Sequence, residues 1–276
     1  MANRRDHHFI EPQALYDAAP NLDTIYSCEG QGLWYAREPR QFFNVRRLAI
    51  SGLFPESLGD LLLHGPKVEE LEYYFERDND FTIDNLAYML APVERTLKRF
   101  CFSYLPAHSG EMAFEPCPVW MEHPHSFNPP FNKTLQDFSN LEELIIDCHF
   151  LYRWSDREQV DGLVTLLPPS IRKLRILYLY KGIFTSLSRL AEMAPGYFPL
   201  LEDVTLSLAE WTDPIHKSNI EKKLRVGQLF QQSGIRFSVE EDLVGADSRT
   251  IIPGAMPGSK LIPAPRMMDE NSRIWN

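Results

Sequence analysis

The sequence predicts an α/β solenoid, in which short strand–helix units stack so that their strands form one parallel sheet. Three features predict this fold class. A six-residue pattern of apolar and charged residues recurs along the chain, helix-forming segments separate its copies, and the sign of the charged residues alternates from one copy to the next. A single unit of this size cannot bury its apolar face, so stacked neighbours must complete a shared core.

The recurring pattern is an apolar residue, two charged residues, an apolar residue, any residue and a last apolar residue. Its copies span residues 45–50, 68–73, 97–102, 141–146, 171–176 and 201–206, and a weaker copy begins at Leu22. The first apolar residues stand at positions 22, 45, 68, 97, 141, 171 and 201, at intervals of 23, 23, 29, 44, 30 and 30 residues. Most of these intervals approach the length of a leucine-rich repeat, about 20–29 residues.

The end of each copy alternates in the way that is typical of a strand with one buried face. Leu48 and Ile50 then point to the same side of the strand and into the core. We therefore expect a right-handed, leucine-rich-repeat-like solenoid, with the parallel sheet on its concave side and helices on its convex side.

Segments with leucines at helical spacing lie between the copies. We expect helices at 13–18, at 56–64, from a cap at Thr82 to Leu90, from a capping box at Ser155 and Glu158 to Leu166, from Thr185 or Ser186 to Met193, and at 218–232 with Gly234 after it. Proline cannot continue a helix. The expected stops are therefore Pro20, Pro66, Pro92, Pro168 and Pro195.

The two charged residues of each copy change sign at every step. The doublets are Arg46–Arg47, Glu69–Glu70, Lys98–Arg99, Glu142–Glu143, Arg172–Lys173 and Glu202–Asp203. Equivalent residues of neighbouring strands lie about 4.8 Å apart, so opposite charges attract each other there. We expect a ladder that fixes the stacking register; the alternative is a charged concave surface that binds a protein. For such a partner the candidate contacts are Arg47, Glu70, Arg99, Glu143, Lys173 and Asp203.

Four segments depart from the repeat pattern. Residues 1–10 are expected to be a flexible N-terminus before a solenoid at 11–244, and the Gly-, Pro- and Ser-rich residues 245–276 a disordered tail. Residues 106–134, with several prolines and aromatics, are expected to be an insertion loop that packs on the solenoid or contacts a partner. The helix and strand of 218–240 are interpreted as a C-terminal cap. No cap precedes the first copy, so either another domain or a partner covers that end, or the chain is a fragment.

Composition and motifs point away from catalysis, metals and nucleic acid. The net charge of -10 offers no basic surface for phosphates, and no stretch reaches the roughly 20 apolar residues that cross a bilayer. Cys117, His123 and His125 are too few, in a proline-broken loop, for a structural zinc site, so we expect no metal and no cofactor. Nucleophile-elbow, phosphate-loop and H-E-x-x-H motifs are absent, so we assign no catalytic residue and expect no small-molecule substrate.

The chain resembles the leucine-rich-repeat region of fungal F-box-like proteins over about residues 11–240. The resemblance rests on residues 194–206, 167–176 and 138–145. In that family an N-terminal F-box binds a ubiquitin-ligase adaptor and the repeats hold the substrate. The first 40 residues here contain no F-box-like helical segment, so the resemblance implies only the binding half.

The first functional hypothesis is therefore a protein–protein interaction scaffold without catalysis, as in the substrate-binding module of a ubiquitin-ligase-type receptor. Two alternatives stay open: an enzyme with its site near 106–134, and a truncated fragment without an independent role. A polar N-terminus without a secretory signal, and four cysteines without a C-x-x-C pair, predict a cytoplasmic or nuclear protein.

Overall fold

The computed structural model describes residues 21–27, 44–51, 55–75, 83–104, 135–147, 160–177, 183–209 and 220–242. Within these ranges the strands are β1 (Thr24–Ser27), β2 (Arg47–Ser51), β3 (Glu70–Phe75), β4 (Arg99–Tyr104), β5 (Glu143–Asp147), β6 (Lys173–Leu177), β7 (Asp203–Ala209) and β8 (Arg236–Asp242). The helices are α1 (Pro55–His64), α2 (Ile83–Leu90), α3 (Gly162–Leu166), α4 (Ile183–Tyr197) and α5 (Ile220–Gln232). Short 3-10 turns stand at Ala91–Val93 and Leu135–Asp137.

The eight strands form one sheet in chain order, and every neighbouring pair is parallel. The register follows the sequence repeat: Leu48 lies beside Leu71, and Leu71 beside Phe100. The expected stack of strand–helix units in one parallel sheet is thus confirmed for the described strands, because the same pattern position occupies the same place on each strand.

The helix-side face of the sheet carries the core. Leu48 and Ile50 of β2 are buried there, together with Leu58 and Leu62 of α1. The first apolar residue of each pattern copy from Val45 to Leu201 belongs to the same core. This continuous cluster explains why the strand half and the helix half of each unit need their neighbours.

Backbone hydrogen bonds join the units just before each strand. The Arg46 carbonyl oxygen accepts hydrogen bonds from the N–H groups of Glu69 at 2.8 Å and Glu70 at 2.9 Å. The Glu69 carbonyl oxygen accepts in the same way from Lys98 and Arg99. The arrangement repeats from β1 to β7, so one carbonyl per unit holds two donors of the next unit.

Hydroxyl side chains strengthen the same junction in two units. Thr96 Oγ1 donates to the Val68 carbonyl oxygen at 2.8 Å, and Ser170 Oγ donates to the Leu141 carbonyl oxygen at 2.8 Å. Both hydroxyl residues immediately precede the first apolar residue of their pattern copy. They therefore satisfy a carbonyl of the preceding unit that lies outside the strand ladder.

The structure corrects the expected limits of helix α4. The helix begins at Ile183, before the expected Thr185 or Ser186, because Ile183 and Phe184 are both buried and extend its apolar face. It also runs through Pro195 to Tyr197 instead of stopping there. Proline lacks the N–H that would bond to the Ala191 carbonyl oxygen, and Ser233 Oγ donates to that oxygen at 3.0 Å instead.

Helix α3 is shorter than expected, with only five residues after Asp161. The expected capping box at Ser155 and Glu158 lies outside the described residues, as do the helix at 13–18, the termini 1–10 and 245–276, and the insertion 106–134. Gly234 follows α5 with a φ of 73°, which confirms it as the residue that ends this helix. The chain then enters β8 within the expected cap.

Candidate protein-binding surface

Two rows of residues cross the sheet at the beginning of its strands, and together we call them the charged rim. The pre-strand row holds the residue before each of the strands β1 to β7: Asp23, Arg46, Glu69, Lys98, Glu142, Arg172 and Glu202. The first-strand row holds the first residue of each strand: Thr24, Arg47, Glu70, Arg99, Glu143, Lys173, Asp203 and Arg236.

All six predicted contact residues belong to the first-strand row. Arg47 lies beside Glu70, Glu70 beside Arg99, and Arg99 beside Glu143. The row continues through Lys173 and Asp203. The structure therefore brings these residues together in one line across the sheet, in the predicted order of signs.

The alternation extends beyond the predicted series at both ends. Arg236 of β8 lies beside Asp203, and Asp23 precedes β1. Sequence reasoning missed both residues, since β8 lacks the full six-residue pattern and the copy at Leu22 is incomplete. The weak signals were the Asp that follows Leu22 and the Arg that follows Gly234 and Ile235.

Ion pairs in the pre-strand row are formed by opposite charges of adjacent units. Glu69 pairs with Arg46 at 3.2 Å and with Lys98 at 2.8 Å, and Arg172 pairs with Glu202. The hydrogen bond from Lys98 lowers the pKa of Glu69, although partial burial opposes the shift. The hydrogen bond from Arg172 likewise lowers the pKa of Glu202.

Ion pairs in the first-strand row are discontinuous. The Nε atom of Arg47 lies 3.8 Å from Glu70 Oε1, and that of Arg99 lies 3.5 Å from Glu143 Oε1. The Nε atom of Arg236 lies 2.6 Å from Asp203 Oδ2. Lys173 forms no ion pair with any residue of the described ranges, although it stands between Glu143 and Asp203. The rim is therefore a partly paired ladder.

Arg99 also binds a carboxylate that the sequence pattern did not single out. Arg99 Nη1 donates to Glu72 Oε1 at 2.8 Å, and the Glu72 side chain is 0% exposed while that of Arg99 is 14% exposed. Burial acts to lower the pKa of Arg99, but the hydrogen bond and charge of Glu72, together with the charge of Glu143, raise it above its usual value. Arg99 thus holds carboxylates of both neighbouring strands.

At β2, β4 and β5 the first-strand row is more exposed than the residues that follow it on the same face of the sheet. Successive side chains of a strand alternate between faces, so the residue two positions after each first-strand residue shares its face. At β2, β4 and β5 these residues are Ala49, Cys101 and Ile145. All three are buried, and they do not belong to the core on the helix side. The Arg47 side chain is 49% exposed and that of Arg236 is 71% exposed.

Polar side chains replace the buried apolar ones on this face at β6 to β8. Arg175 pairs with Glu240 at 2.6 Å across β7, and the hydroxyls of Thr205 and Ser238 lie 3.0 Å apart. Ser207 Oγ is buried and has no hydrogen-bond partner among the described residues. Thr205 Oγ1 also donates to Asp203 Oδ1 at 2.9 Å, so these are short polar contacts within and between strands.

The part of the chain that the structure describes has no cluster of metal-binding side chains, and one small apolar cavity lies between its first two strands and α1. No group of three His, Cys, Asp or Glu residues there could hold a metal ion. A cavity of about 10 Å³ lies between β1, β2 and α1 and is wholly apolar. Its lining consists of Ile25, Val45, Leu48, Leu61, Leu62, Gly65 and Val68. Such a space is about the size of one water molecule and offers no polar atom for orienting a substrate.

Comparison with known proteins leaves this chain without an assigned family. No protein-family model, no curated protein and no solved structure matches it. None of the described helices combines the length and the apolar character that a membrane span requires.

Proposed function

We propose that this chain is a protein-binding scaffold whose charged rim contacts the partner, and that its units form a right-handed, leucine-rich-repeat-like solenoid. The observation that carries the proposal is the contrast along the strands: the rim is exposed in part, and positions that follow it on the same face of β2, β4 and β5 are buried. Binding at the rim requires no catalytic group, and we propose none.

The charge of the rim favours a partner that is itself of mixed charge. The two rows contain seven acidic and seven basic residues, so they carry no net charge although the chain carries -10. Alternating charges about 4.8 Å apart cancel each other at distances beyond a few such spacings. The rim therefore selects a partner by close contact, and it neither attracts phosphates nor steers a strongly charged ligand from afar.

We further propose a substrate-binding module of a ubiquitin-ligase-type receptor as the setting, and a cytoplasmic or nuclear location. The repeat segments at 138–145, 167–176 and 194–206, which resemble those of fungal F-box-like proteins, support the receptor assignment. The polar N-terminus and the spacing of the four cysteines support the location.

Affinity capture with quantitative mass spectrometry tests the proposal. The full chain is compared with a variant that carries Arg47→Glu and Lys173→Glu, because Arg47 is half-exposed and Lys173 has no ion pair among the described residues. The captured amount of each protein that binds the rim should be at least about tenfold lower with the variant, because like charges replace complementary ones. Arg225→Glu on α5 is the control, because this exposed side chain lies away from the rim.

The outcome that contradicts the proposal is a set of captured proteins that is equal for the chain and the rim variant. Loss of the same proteins with Arg225→Glu would also contradict it, because net charge and not the rim would then govern binding. Both variants are checked for an unchanged circular dichroism spectrum before capture.

A further inference from the structure

The signs of the charged rim follow an order that spans all eight units. From β1 to β8 the units carry negative, positive, negative, positive, negative, positive, negative and positive charge, beginning with Asp23 and ending with Arg236. The six units between them carry doublets of one sign. The number of units is even, so the order read from β8 to β1 has the opposite sign at every place.

This antisymmetry makes the rim complementary to itself. A two-fold axis that passes between β4 and β5 would bring unit one opposite unit eight, two opposite seven, three opposite six and four opposite five. Each unit would then face the opposite sign in a second copy. A two-fold interface uses the same surface on both subunits, and two-fold dimers are the commonest oligomers of soluble proteins.

We propose that the charged rim binds a second copy of this chain about such a two-fold axis. Self-association goes beyond the scaffold function and does not depend on it, since a chain that binds no other protein would still present the same rim. The complementary order of charge is the feature that selects a second copy over other occupants.

Two charges of the rim that have no ion pair among the described residues fall at places where this dimer would supply one. Glu142 and Lys173 form no ion pair within the described part of the chain. In the dimer Glu142 faces Lys98 of the second copy, and Lys173 faces Glu70 of the second copy. At the ends of the rim, Asp23 faces Arg236 of the second copy, which pairs with Asp203 of its own chain and keeps 71% of its side chain exposed.

The dimer should be weak and sensitive to salt. Exposed ion pairs each contribute little, and salt screens them. The rim also forms pairs within each chain, so association only adds to pairs that already exist in part. Raising the salt concentration from about 0.05 M to about 0.5 M should lower the association constant at least tenfold.

Sedimentation velocity of the full chain and of two charge-swap variants tests the interface. Glu142→Lys sets the new lysine opposite Lys98 of a second copy. Lys98→Glu sets the new glutamate opposite Glu142 of a second copy. Each variant alone should therefore be monomeric, because like charges meet at two places in its dimer.

An equimolar mixture of the two variants should form a heterodimer. The introduced lysine of one variant then faces the introduced glutamate of the other, and the native Lys98 of the first faces the native Glu142 of the second. The matched control is Glu192→Lys, an equal change of charge on the exposed side of α4 that should dimerise like the unchanged chain.

Several outcomes would overturn the dimer. They are a monomeric unchanged chain at low salt, a dimer that high salt does not dissociate, or a mixture of the two variants that stays monomeric. Thermal melts show that each variant is folded. A variant that fails to fold is replaced by the Arg172→Glu and Glu69→Lys pair, which occupies units six and three and follows the same logic of exchange.

Discussion

Among single residues, Arg99 connects three strands through its guanidinium group. It binds the buried Glu72 on β3 at 2.8 Å and Glu143 on β5 at 3.5 Å. The Glu72 carboxylate is buried, and the guanidinium of Arg99 supplies a positive charge beside it. Removing one member of a buried pair costs more than removing one member of an exposed pair, because the other charge stays without water.

Arg99→Met should therefore lower the free energy of unfolding by about 3 kcal/mol. Arg47→Met, which removes a guanidinium that is half-exposed and 3.8 Å from its carboxylate, should cost less than about 1 kcal/mol. Urea unfolding measures both. Adding Glu72→Gln to Arg99→Met should recover part of the loss, and equal costs for the two single variants would refute a special role of the buried pair.

Glu69 links stability to pH. Its pKa is lowered in the folded chain, chiefly by the hydrogen bond from Lys98, and a free glutamate has a pKa of about 4.3. A depressed folded pKa gives stability that is fully present above the unfolded pKa and is lost as the pH falls through the folded one. Glu69→Gln should thus cost about 0.5 kcal/mol at neutral pH, and this cost should shrink toward zero as the pH falls to about 2.

The measurement is the urea midpoint of the chain and of Glu69→Gln across this pH range. Glu94→Gln serves as the control, since the Glu94 side chain forms no ion pair in the described ranges. The contradicting result would be urea midpoints of the chain and of Glu69→Gln that differ by the same amount down to the acid end of the range. Such a constant difference would show that the charge of the Glu69 carboxylate is not its cause.

Among the helices and strands, α4 shows how one unit completes another. Pro195 leaves the Ala191 carbonyl oxygen without its helical donor, and Ser233, just after α5, supplies a hydroxyl at 3.0 Å. The helix can therefore continue for two further residues and still satisfy its backbone. The contact also ties α4 to the end of α5.

Ser233→Ala should cost about 1 kcal/mol in the unchanged chain, because the Ala191 carbonyl oxygen is then left unsatisfied. In the background of Pro195→Ala, where the backbone N–H returns, the same substitution should cost less than half as much. A double-mutant cycle by chemical denaturation measures the coupling. Additive costs would mean that Ser233 does not replace the missing donor.

The features that the sequence did not predict share one physical cause, which is a contact with a residue of another unit. The prediction that α4 stops at Pro195 was wrong because Ser233, in the next unit, supplies the replacement hydrogen-bond donor. The helix propensity of the local sequence contains no information about that donor. Leu48 and Ile50 were placed correctly because alternation alone decides which face a strand residue occupies. Glu72 was missed because the equivalent places on β2 and β4 hold Ala49 and Cys101, and because its ion-pair partner Arg99 belongs to the next unit.

Across the full sheet, the charged rim joins all eight units. The sequence predicted its central six doublets, because one pattern carried both the register and the signs. It could not predict which charges pair, since Arg99 binds Glu72, a diagonal neighbour, more closely than Glu143, its neighbour in register. Contact of the rim with a protein is a proposal that rests on exposure and charge.

Charge reversal within the rim tests the ladder in the monomer. Glu143→Lys removes the contact with Arg99 and adds like charge beside Lys173, so it should cost about 1 kcal/mol. Glu142→Lys has no described ion pair to lose and should cost about half as much. The combined variant should melt about 3–6 °C lower. Calorimetry of dilute chain measures it, and an unchanged melting temperature would refute the ladder.

Each strand pairs only with its neighbours in chain order. During evolution, units can therefore be removed or added with opposite charges kept on neighbouring strands only in even numbers. Excising the unit of Glu143 alone would set Arg99 beside Lys173, two like charges on adjoining strands. Excising two consecutive units restores opposite neighbours, and duplicating two does the same. Recombination within a gene of this kind should thus retain products that differ by two units, and lose those that differ by one.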